Sequence, residues 1–372
     1  MPNCDVAVLG AGIVGAACAR EFSASGLRVI VVEPNAVGSG ATNAGHGHLV
    51  VMDDSAEQFL LSRYAMKLWH EILEDLPEDC EYWKCGTVWV ASDEEEFDFA
   101  ARRGSFYKRH GVRAELLDSR QLTALEPNLR AGLAGGLLVP DDSSVSPPRA
   151  AEHLIRIAQS HGATLITQRA ENVAEHKVTL SDGAIIHAGA IVNAAGVDAA
   201  AFTPGLPIRS RKGHILAVDA GRSFARHQVM ELGYLKSAHA ESEADSVAFN
   251  VRLNRAGELL VGSSRQYRET NPNVEPKMIA WLLRRAIEFM PAIANARPLR
   301  NWIGFRAGTP DGLPLIGPCH GFEKVFAATG HEGLGATTAL ATARLLTDEI
   351  LCRTPEIDPA PYLPSRFLNI RN

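Results

Sequence analysis

Two short apolar runs flank an alanine-rich segment at the start of the chain. Residues 6–9 and 28–32 form the two runs, and residues 13–25 form the segment between them. Short apolar runs bounded by glycine are typical of buried strands, and the intervening segment stops at Gly26, a residue that favours helix ends. The pattern predicts a strand, a helix and a parallel strand, which together form a βαβ unit.

The turn after the first strand reads Gly10-Ala-Gly-Ile-Val-Gly15, a G-x-G-x-x-G motif. In such a turn Gly10 allows the tight bend, Gly12 lets the backbone approach a pyrophosphate, and Gly15 lets the helix lie close to the sheet. Glu33 ends the second strand, where a carboxylate accepts hydrogen bonds from ribose hydroxyls. The unit predicts a dinucleotide site and leaves FAD and NAD both open. Its candidate contacts are Gly10, Gly12, Ile13, Val14, Gly15 and Glu33.

The next segment, residues 38–48, is a glycine-rich loop that a plain nicotinamide dehydrogenase has no reason to carry there. Such a loop brings side chains and backbone N–H groups against a flavin and its diphosphate, which favours FAD. His46 and His48 have no carboxylate or cysteine at ligand spacing, so we predict no metal. The candidate flavin contacts are Thr42, Asn43, Ala44, Gly45, His46 and Gly47.

A later apolar strand, residues 188–192, ends in Asn193-Ala-Ala-Gly196. This ending resembles the Ala-Gly corner beside the pyrophosphate in flavoproteins with two dinucleotide-binding motifs. Residues 169–173 precede it, separated by an Asp-Gly turn that favours a hairpin. We expect Ala195 and Gly196 at the pyrophosphate, and Val173 at the adenine through its backbone.

Two glycine-rich blocks, residues 302–317 and 328–338, lie near the carboxyl end, and the second opens a helix that runs to about residue 351. Unpaired N–H groups give the start of a helix a partial positive charge. Aimed at the N1 and C2 carbonyl region of an isoalloxazine, that charge stabilises reduced flavin. The candidate contacts are Gly304, Gly330, His331, Gly333, Leu334, Gly335, Ala336 and Thr337.

The composition, with 46% hydrophobic and 22% charged residues in 372, predicts a soluble protein of about two domains. A formal net charge of −6 argues against a nucleic-acid partner. No uninterrupted apolar run reaches the roughly 18 residues of a membrane span, and no secretory signal is recognisable. The six cysteines include no Cys-x-x-Cys pair, so we expect free thiols. We expect a cytoplasmic protein, and peripheral attachment to the inner membrane stays open.

Taken in order, these motifs resemble the D-amino acid oxidase superfamily, which includes glycine oxidase, sarcosine oxidase and D-amino acid dehydrogenase. The resemblance rests on the G-x-G-x-x-G motif, Thr-Asn-Ala-Gly, Asn-Ala-Ala-Gly, Gly-Phe-Arg with Thr-Pro-Asp-Gly, and Gly-His-Glu-Gly-Leu-Gly. It implies an α/β fold in which a Rossmann-like FAD-binding domain is interrupted by a substrate domain with a mixed β-sheet. The expected boundaries are 1–75, 136–205 and 298–372 for the FAD-binding domain, and 76–135 and 206–297 for the substrate domain.

The resemblance also implies the chemistry and the residues that carry it. Substrate Cα gives a hydride to flavin N5 while the amine is neutral, and Arg306 in Gly-Phe-Arg grips the substrate carboxylate. His48, Tyr234 and Tyr267 are candidates for the other side of the cavity. Family members with covalent flavin use cysteine or histidine, and residues 302–317 contain neither, so we expect non-covalent FAD.

Within the superfamily, the last two motifs look most like the FAD-carrying β subunits of D-hydroxyproline dehydrogenase and opine oxidases. That resemblance implies a small amino or imino acid substrate, a dehydrogenase and partner subunits. Two alternatives stay open. An FAD-dependent 2-hydroxy acid dehydrogenase would need a base to take the hydroxyl proton, for which His46, His48 or His331 could serve. The chain could also be a non-catalytic FAD-bearing subunit.

Overall fold

The structure of the chain, a computed structural model, describes residues 3–52, 54–233, 244–267 and 269–370, with side chains described to residue 368. Elements are numbered in chain order. The strands are β1 (Cys4–Leu9), β2 (Val29–Val32), β3 (His48–Leu49), β4 (Thr87–Ala91), β5 (Glu115–Asp118), β6 (Gly135–Val139), β7 (Ser143–Ser144), β8 (Thr164–Ile166), β9 (Ala170–Ala174), β10 (Lys177–Leu180), β11 (Ile185–Asn193), β12 (Arg209–Asp219), β13 (Gln228–Glu231), β14 (Ser246–Leu253), β15 (Glu258–Tyr267), β16 (Arg297–Gly308), β17 (Leu315–Pro318) and β18 (Val325–Thr329). The helices are α1 (Ile13–Ala24), α2 (Ala56–His70), α3 (Glu94–Arg109), α4 (Ser119–Leu125), α5 (Pro147–Ser160), α6 (Ala199–Phe202), α7 (Pro276–Phe289) and α8 (Gly335–Ile350).

The first sheet contains the predicted βαβ unit. β1 pairs in parallel with β2 on one side and with β11 on the other, and β18 continues the parallel order beyond β11. The order is β17-β18-β11-β1-β2-β8, and the predicted hairpin is formed by β10 and β11, with β9 beside β10. Because β1, β2, β11 and β18 run the same way, their carboxyl ends meet at one edge of the sheet.

Strand β1 is buried on both faces, as its continuous apolar run predicts. Val6 and Val8 lie in the apolar core that contains side chains of α1, α5 and α8. Ala7 and Leu9 lie in a second core, with side chains of β9 and β10. Successive strand side chains point to opposite faces, so the position of β1 is set by packing on both sides.

The second sheet has the order β16-β12-β15-β14-β13-β4-β6-β5. All of its pairs are antiparallel except the parallel pair of β13 and β4, so the sheet is mixed, as expected. Helix α7 packs against β14 and β15, and Phe249 stacks on Phe289 with ring centroids 4.6 Å apart. Strands β12, β14, β15 and β16 of this sheet form one wall of the cavity described below.

The pairing places two strands differently from the expected domain boundaries. Nearly all of β6 and of β16 falls in segments that we assigned to the FAD-binding domain, yet β6 pairs with β4 and β16 pairs with β12 in the second sheet. The sequence of a strand does not state which distant strand it will pair with, so boundaries drawn between motifs do not take this pairing into account. The division into two domains itself stays a prediction.

In the part of the chain that the structure describes, no helix is long and apolar enough to cross a membrane. All six cysteines are free thiols, and only Cys352 is exposed.

His214 on β12 is a titratable group that is buried in the second sheet. The backbone N–H of Glu275 donates to its Nε2 at 3.1 Å, and its Nδ1 lies 3.0 Å from Ser264 Oγ. Burial and then the nearby charge of Lys212 lower the pKa of His214 to about 4. An imidazolium would also lose the hydrogen bond from Glu275, because a protonated Nε2 accepts none.

We predict that His214 makes the protein less stable as the pH falls. The unfolded chain binds a proton at His214 below about pH 6.5, whereas the folded protein does so only below about pH 4. The contribution of His214 to the free energy of unfolding is therefore fully present above pH 6.5 and decreases below it. The stability advantage of the wild type over His214→Gln should shrink by about 1–2 kcal/mol between pH 7 and pH 5. Urea unfolding measures it, with exposed His320→Gln as the control; an advantage that does not vary with pH would contradict the prediction.

Candidate active site

A cavity of about 960 Å³ opens at the carboxyl edge of the first sheet and extends to the second sheet. This volume is at the upper end of the roughly 300–1,000 Å³ that ligand sites occupy. The ends of β1, β2, β11 and β18 form one side, together with the start of α8. Strands β12, β14, β15 and β16 form the opposite side.

The turn between β1 and α1 is shaped by close backbone contacts. Gly10 has a φ of +95°, and a Cβ there would lie 2.7 Å from the carbonyl oxygen of Ala194. A Cβ at Gly15 would overlap the carbonyl oxygen of Gly10. Only glycine fits either position, and the result is a helix whose first N–H groups stand at the cavity. This geometry suits an anionic diphosphate.

Glu33 is held at the same edge by two backbone donors. Ala11 N donates to one carboxylate oxygen at 2.8 Å, and Asn35 N donates to the other at 3.0 Å. Each carboxylate oxygen has a second lone pair, and the side chain lines the cavity. Glu33 can therefore accept hydrogen bonds from ribose hydroxyls without leaving the turn.

The glycine-rich loop is fixed between α1 and β16. Thr42 Oγ1 accepts from the backbone N–H of Ile13 at 3.0 Å. Trp302 Nε1 donates to the carbonyl oxygen of Ala44 at 3.4 Å, and a Cβ at Gly304 would overlap Ala44. The loop therefore closes the cavity over the start of α1.

Helix α8 points its amino terminus into the cavity. Gly330 turns the chain with a φ of +81°, and residues 330–336 all line the cavity. Leu334 occupies the N-cap position and supplies no side-chain acceptor for the first N–H groups. The partial positive charge of this end therefore faces the cavity.

Arg306 reaches the cavity from β16. Its Nη1 donates to the carbonyl oxygen of Ser264 at 3.0 Å, and a Cβ at Gly213 would lie 2.6 Å from the same Nη1. The guanidinium therefore lies flat over a glycine of the neighbouring strand. Among the described residues Arg306 makes no ion pair, which leaves its charge for a ligand.

His46 and His48 lie side by side on the cavity wall, with ring centroids 5.1 Å apart. Burial lowers the pKa of both, that of His48 to about 3, and the charge of Arg252 adds to the effect. Both rings are therefore neutral at pH 7. The described residues hold no group of histidine, cysteine and carboxylate side chains able to bind a metal ion.

His331 also lines the cavity, but its Nε2 lies 2.9 Å from Thr342 Oγ1 in α8. Burial lowers its pKa to about 3. Its contact with α8 indicates a role in holding the loop to the helix.

Most residues predicted from the motifs lie together at this cavity. Those lining it are Gly10, Gly12, Ile13, Val14, Glu33, Thr42, Ala44, Gly45, His46, Gly47, His48, Ala195, Gly196, Tyr267, Gly304, Arg306, Gly330, His331, Gly333, Leu334, Gly335 and Ala336. Tyr234 lies outside the described residues. As contacts to a bound group, all of these assignments stay predictions.

Four predicted contacts do not line the cavity. Gly15 faces the Gly10 carbonyl and shapes the turn instead. Thr337 donates to the carbonyl oxygen of His48 at 3.0 Å and accepts from Val50 N, which ties α8 to β3. The side chain of Val173, in β9, is buried in the core, and Asn43 does not line the cavity either. Arg169 and Ala170, just before Val173, line it in its place.

The motifs missed Arg211, Arg265 and Glu332, which line the cavity beside Arg306. Arg265 Nε donates to Glu332 at 3.2 Å, and Arg211 Nη1 lies 3.8 Å from the same carboxylate oxygen. The sequence offers one hint, since Arg211 and Arg306 each stand two residues before a glycine. This spacing indicates a shared site only when the pairing register of β12 and β16 is known, and the sequence does not state that register.

Comparison with known proteins extends over nearly the whole chain. Residues 5–349 match the family model described as DAO, FAD dependent oxidoreductase. Glycine oxidase of Pseudomonas aeruginosa is 26% identical over 389 residues, covering 97% of this chain and 98% of that protein. Hydrogen cyanide synthase subunit HcnC of the same species is 25% identical over 419 residues, covering 98% and 96%. The crystal structure of glycine oxidase from Geobacillus kaustophilus matches with a TM-score of 0.87 at 26% identity, covering 98% and 99%.

We predict that Gly12→Ala weakens FAD binding and leaves the fold intact. Gly12 has a φ of −63°, which alanine also adopts, and the added Cβ would come no closer than 3.2 Å to Thr42 Oγ1. That methyl group would, however, stand where a pyrophosphate approaches the backbone. FAD titration of the apoprotein should give a dissociation constant about 10-fold higher or more, with unchanged circular dichroism.

Gly15→Ala is the contrasting variant, because its Cβ meets backbone and should lower stability as well as FAD binding. Wild-type FAD affinity in Gly12→Ala would contradict the assignment of this turn.

Proposed function

Because this chain belongs to the DAO family of FAD-dependent oxidoreductases, we propose that it dehydrogenates a small amino or imino acid at its C–N bond. The family, the α/β fold and FAD as the cofactor, all expected from the motifs, are confirmed. The preferred substrate in this proposal is a D-amino acid or a D-hydroxyproline-like imino acid. FAD is held without a covalent bond.

The residues present fit FAD. Gly10, Gly12 and the start of α1 would hold the diphosphate, Glu33 the ribose, and the start of α8 the isoalloxazine. The chemistry supplied by bound FAD is acceptance of a hydride from the substrate at N5. Residues 302–317 contain neither cysteine nor histidine, the two residue types that family members use for covalent attachment, which supports dissociable binding.

Arg306 carries the proposal. Its guanidinium reaches the cavity, makes no ion pair with any described residue, and is held by Ser264 O and the flat surface at Gly213. A planar guanidinium binds a carboxylate through two parallel hydrogen bonds. Such a grip fixes Cα of an amino acid relative to the start of α8, and orientation of this kind is a large part of catalysis.

The cavity also favours the neutral amine that the reaction requires. Burial first, and then the charges of neighbouring groups that include Arg252 and Arg306, lower the pKa of His46. The same surroundings disfavour an ammonium group on the substrate. A bound amine would therefore give its proton to water more readily, and its nitrogen lone pair would be available to form the C=N bond when Cα gives up a hydride.

The cavity gives less support to a 2-hydroxy acid substrate, which needs a protein base with a pKa near the working pH. His48 and His331 have pKa values of about 3, and that of His46 is also far below its usual range. These rings are weak bases, so an amine explains the site better than an alcohol.

We extend the proposal to electron transfer through partner subunits rather than directly to oxygen. HcnC, which matches this chain over nearly its full length, is itself a subunit of hydrogen cyanide synthase. A chain that passes electrons to a partner should reduce dyes or quinones faster than oxygen.

We predict that Arg306→Ala lowers kcat/KM for the amino acid substrate by about 100-fold or more, because a charged hydrogen-bonding partner of the carboxylate is lost. Arg306→Lys should restore part of the loss, since it keeps the charge but not the fork. Steady-state kinetics with a dye acceptor measures both. Arg297→Ala, exposed on the same strand, is the control. Unchanged kinetics in Arg306→Ala would remove Arg306 from the site.

The substrate class is tested separately by anaerobic mixing of the wild-type holoenzyme with D-proline, D-hydroxyproline, D-alanine, their L forms, and D- and L-lactate. We expect the visible flavin absorbance to bleach with an amino or imino acid and to persist with lactate. Bleaching by lactate alone would establish the hydroxy acid alternative instead.

A further inference from the structure

Three arginines share one face of the second sheet. Arg211 on β12 lies directly opposite Arg306 on β16 and directly opposite Tyr267 on β15. Residues opposite each other in antiparallel strands point to the same face. Arg265 is two positions from Tyr267 and therefore also shares that face. All four side chains line the cavity.

Two glycines let Arg211 and Arg306 lie across the sheet in opposite directions. A Cβ at Gly213 on β12 would lie 2.6 Å from Arg306 Nη1. A Cβ at Gly308 on β16 would lie 2.8 Å from Arg211 Nε. Each arginine side chain therefore lies over a glycine of the neighbouring strand. A side chain at either glycine would displace the arginine that lies over it.

The two crossings separate the guanidinium groups along the strands. Gly213 pairs with Gly304, and Gly308 pairs with Arg209. The glycines therefore lie four strand positions apart, roughly 13 Å at the usual rise of a strand. One carboxylate is too small to make paired hydrogen bonds to both groups at once.

Glu332 is the carboxylate beside these three arginines, and its main side-chain partner is Arg265. Burial raises the pKa of Glu332, but the charges of Arg265, Arg306 and Arg211 outweigh burial and bring it to about 2. Its Oε1 accepts from Arg265 Nε at 3.2 Å, and its Oε2 accepts from the backbone N–H of Gly333 at 2.6 Å. Asp311, another cavity carboxylate, is paired with Arg366.

Arg211 has donors that the described residues leave unsatisfied. Its Nη2 donates to the carbonyl oxygen of Thr309 at 3.3 Å, its Nη1 lies 3.8 Å from Glu332 without a hydrogen bond, and its buried Nε has no partner. A second anion at Arg211 would give these donors an acceptor.

From this arrangement we propose that the substrate is a dicarboxylate, an amino or imino acid whose α-carboxylate binds Arg306 and whose second carboxylate binds Arg211. This inference rests on the proposed function and narrows its substrate class to amino or imino acids with a second carboxylate, which proline and hydroxyproline lack. The nitrogen and Cα lie between the two carboxylates, near the start of α8. Substrates with a single carboxylate leave Arg211 with only its 3.8 Å ion pair to Glu332.

The test uses unreactive ligands and the FAD-loaded enzyme. Oxydiacetate and methoxyacetate carry an ether oxygen in place of an amine, and they differ by one carboxylate. Calorimetry or perturbation of the flavin spectrum should show oxydiacetate binding about 10- to 100-fold more tightly. Arg211→Gln should bring the two affinities within about 3-fold, and Arg211→Lys should keep an intermediate preference. Arg297→Gln is the matched control.

Turnover supplies a second readout with iminodiacetate and N-methylglycine, a pair that also differs by one carboxylate. We expect kcat/KM to favour iminodiacetate in the wild type, mainly through KM, and this ratio to fall about 10- to 100-fold in Arg211→Gln.

The outcomes separate this inference from the proposed function. Equal affinities for the two ether ligands would overturn the dicarboxylate site even if amino acids reduce the flavin. Tighter oxydiacetate binding without flavin reduction by any amine would leave the dicarboxylate site supported and refute the proposed function. An Arg211→Gln variant that loses FAD but keeps the preference for oxydiacetate would assign Arg211 to the cofactor and overturn the inference.

Discussion

Close backbone contact at the carboxyl end of β1 is the constraint on which the rest of the site depends. The turn at Gly10 packs against the Ala194 carbonyl at the end of β11. Gly38 N donates to the carbonyl oxygen of Ala11 at 2.9 Å, which anchors the glycine-rich loop to the same turn. With β1 buried on both faces, neither contact can shift independently. Three segments far apart in sequence are thereby held around one cavity.

Positive charge faces that cavity from both sheets. The amino termini of α1 and α8 present partial positive charge, and Arg211 and Arg306 present full charges. The histidines on the wall are neutral because burial opposes a further positive charge. Diphosphate and carboxylate groups are therefore attracted and an ammonium group is disfavoured, so one environment favours cofactor binding, substrate orientation and a reactive amine.

The sequence predicted the local parts of this arrangement well. Gly10, Gly12 and Glu33 belong to one βαβ unit whose spacing is set within a few dozen residues, and the structure brings all three to the cavity. Arrangements that depend on distant pairing were not predictable. β16 joins the second sheet, and Arg211 lies opposite Arg306 only because β12 and β16 pair in one particular register. A shift of one residue would turn Arg211 to the other face.

The most direct test of the central claim is a crystal structure of the chain with FAD and oxydiacetate. We expect the diphosphate at Gly12 and the start of α1, the isoalloxazine at the start of α8, and a ligand carboxylate on Arg306. An isoalloxazine far from α8, or a ligand whose carboxylates both avoid Arg306, would contradict it.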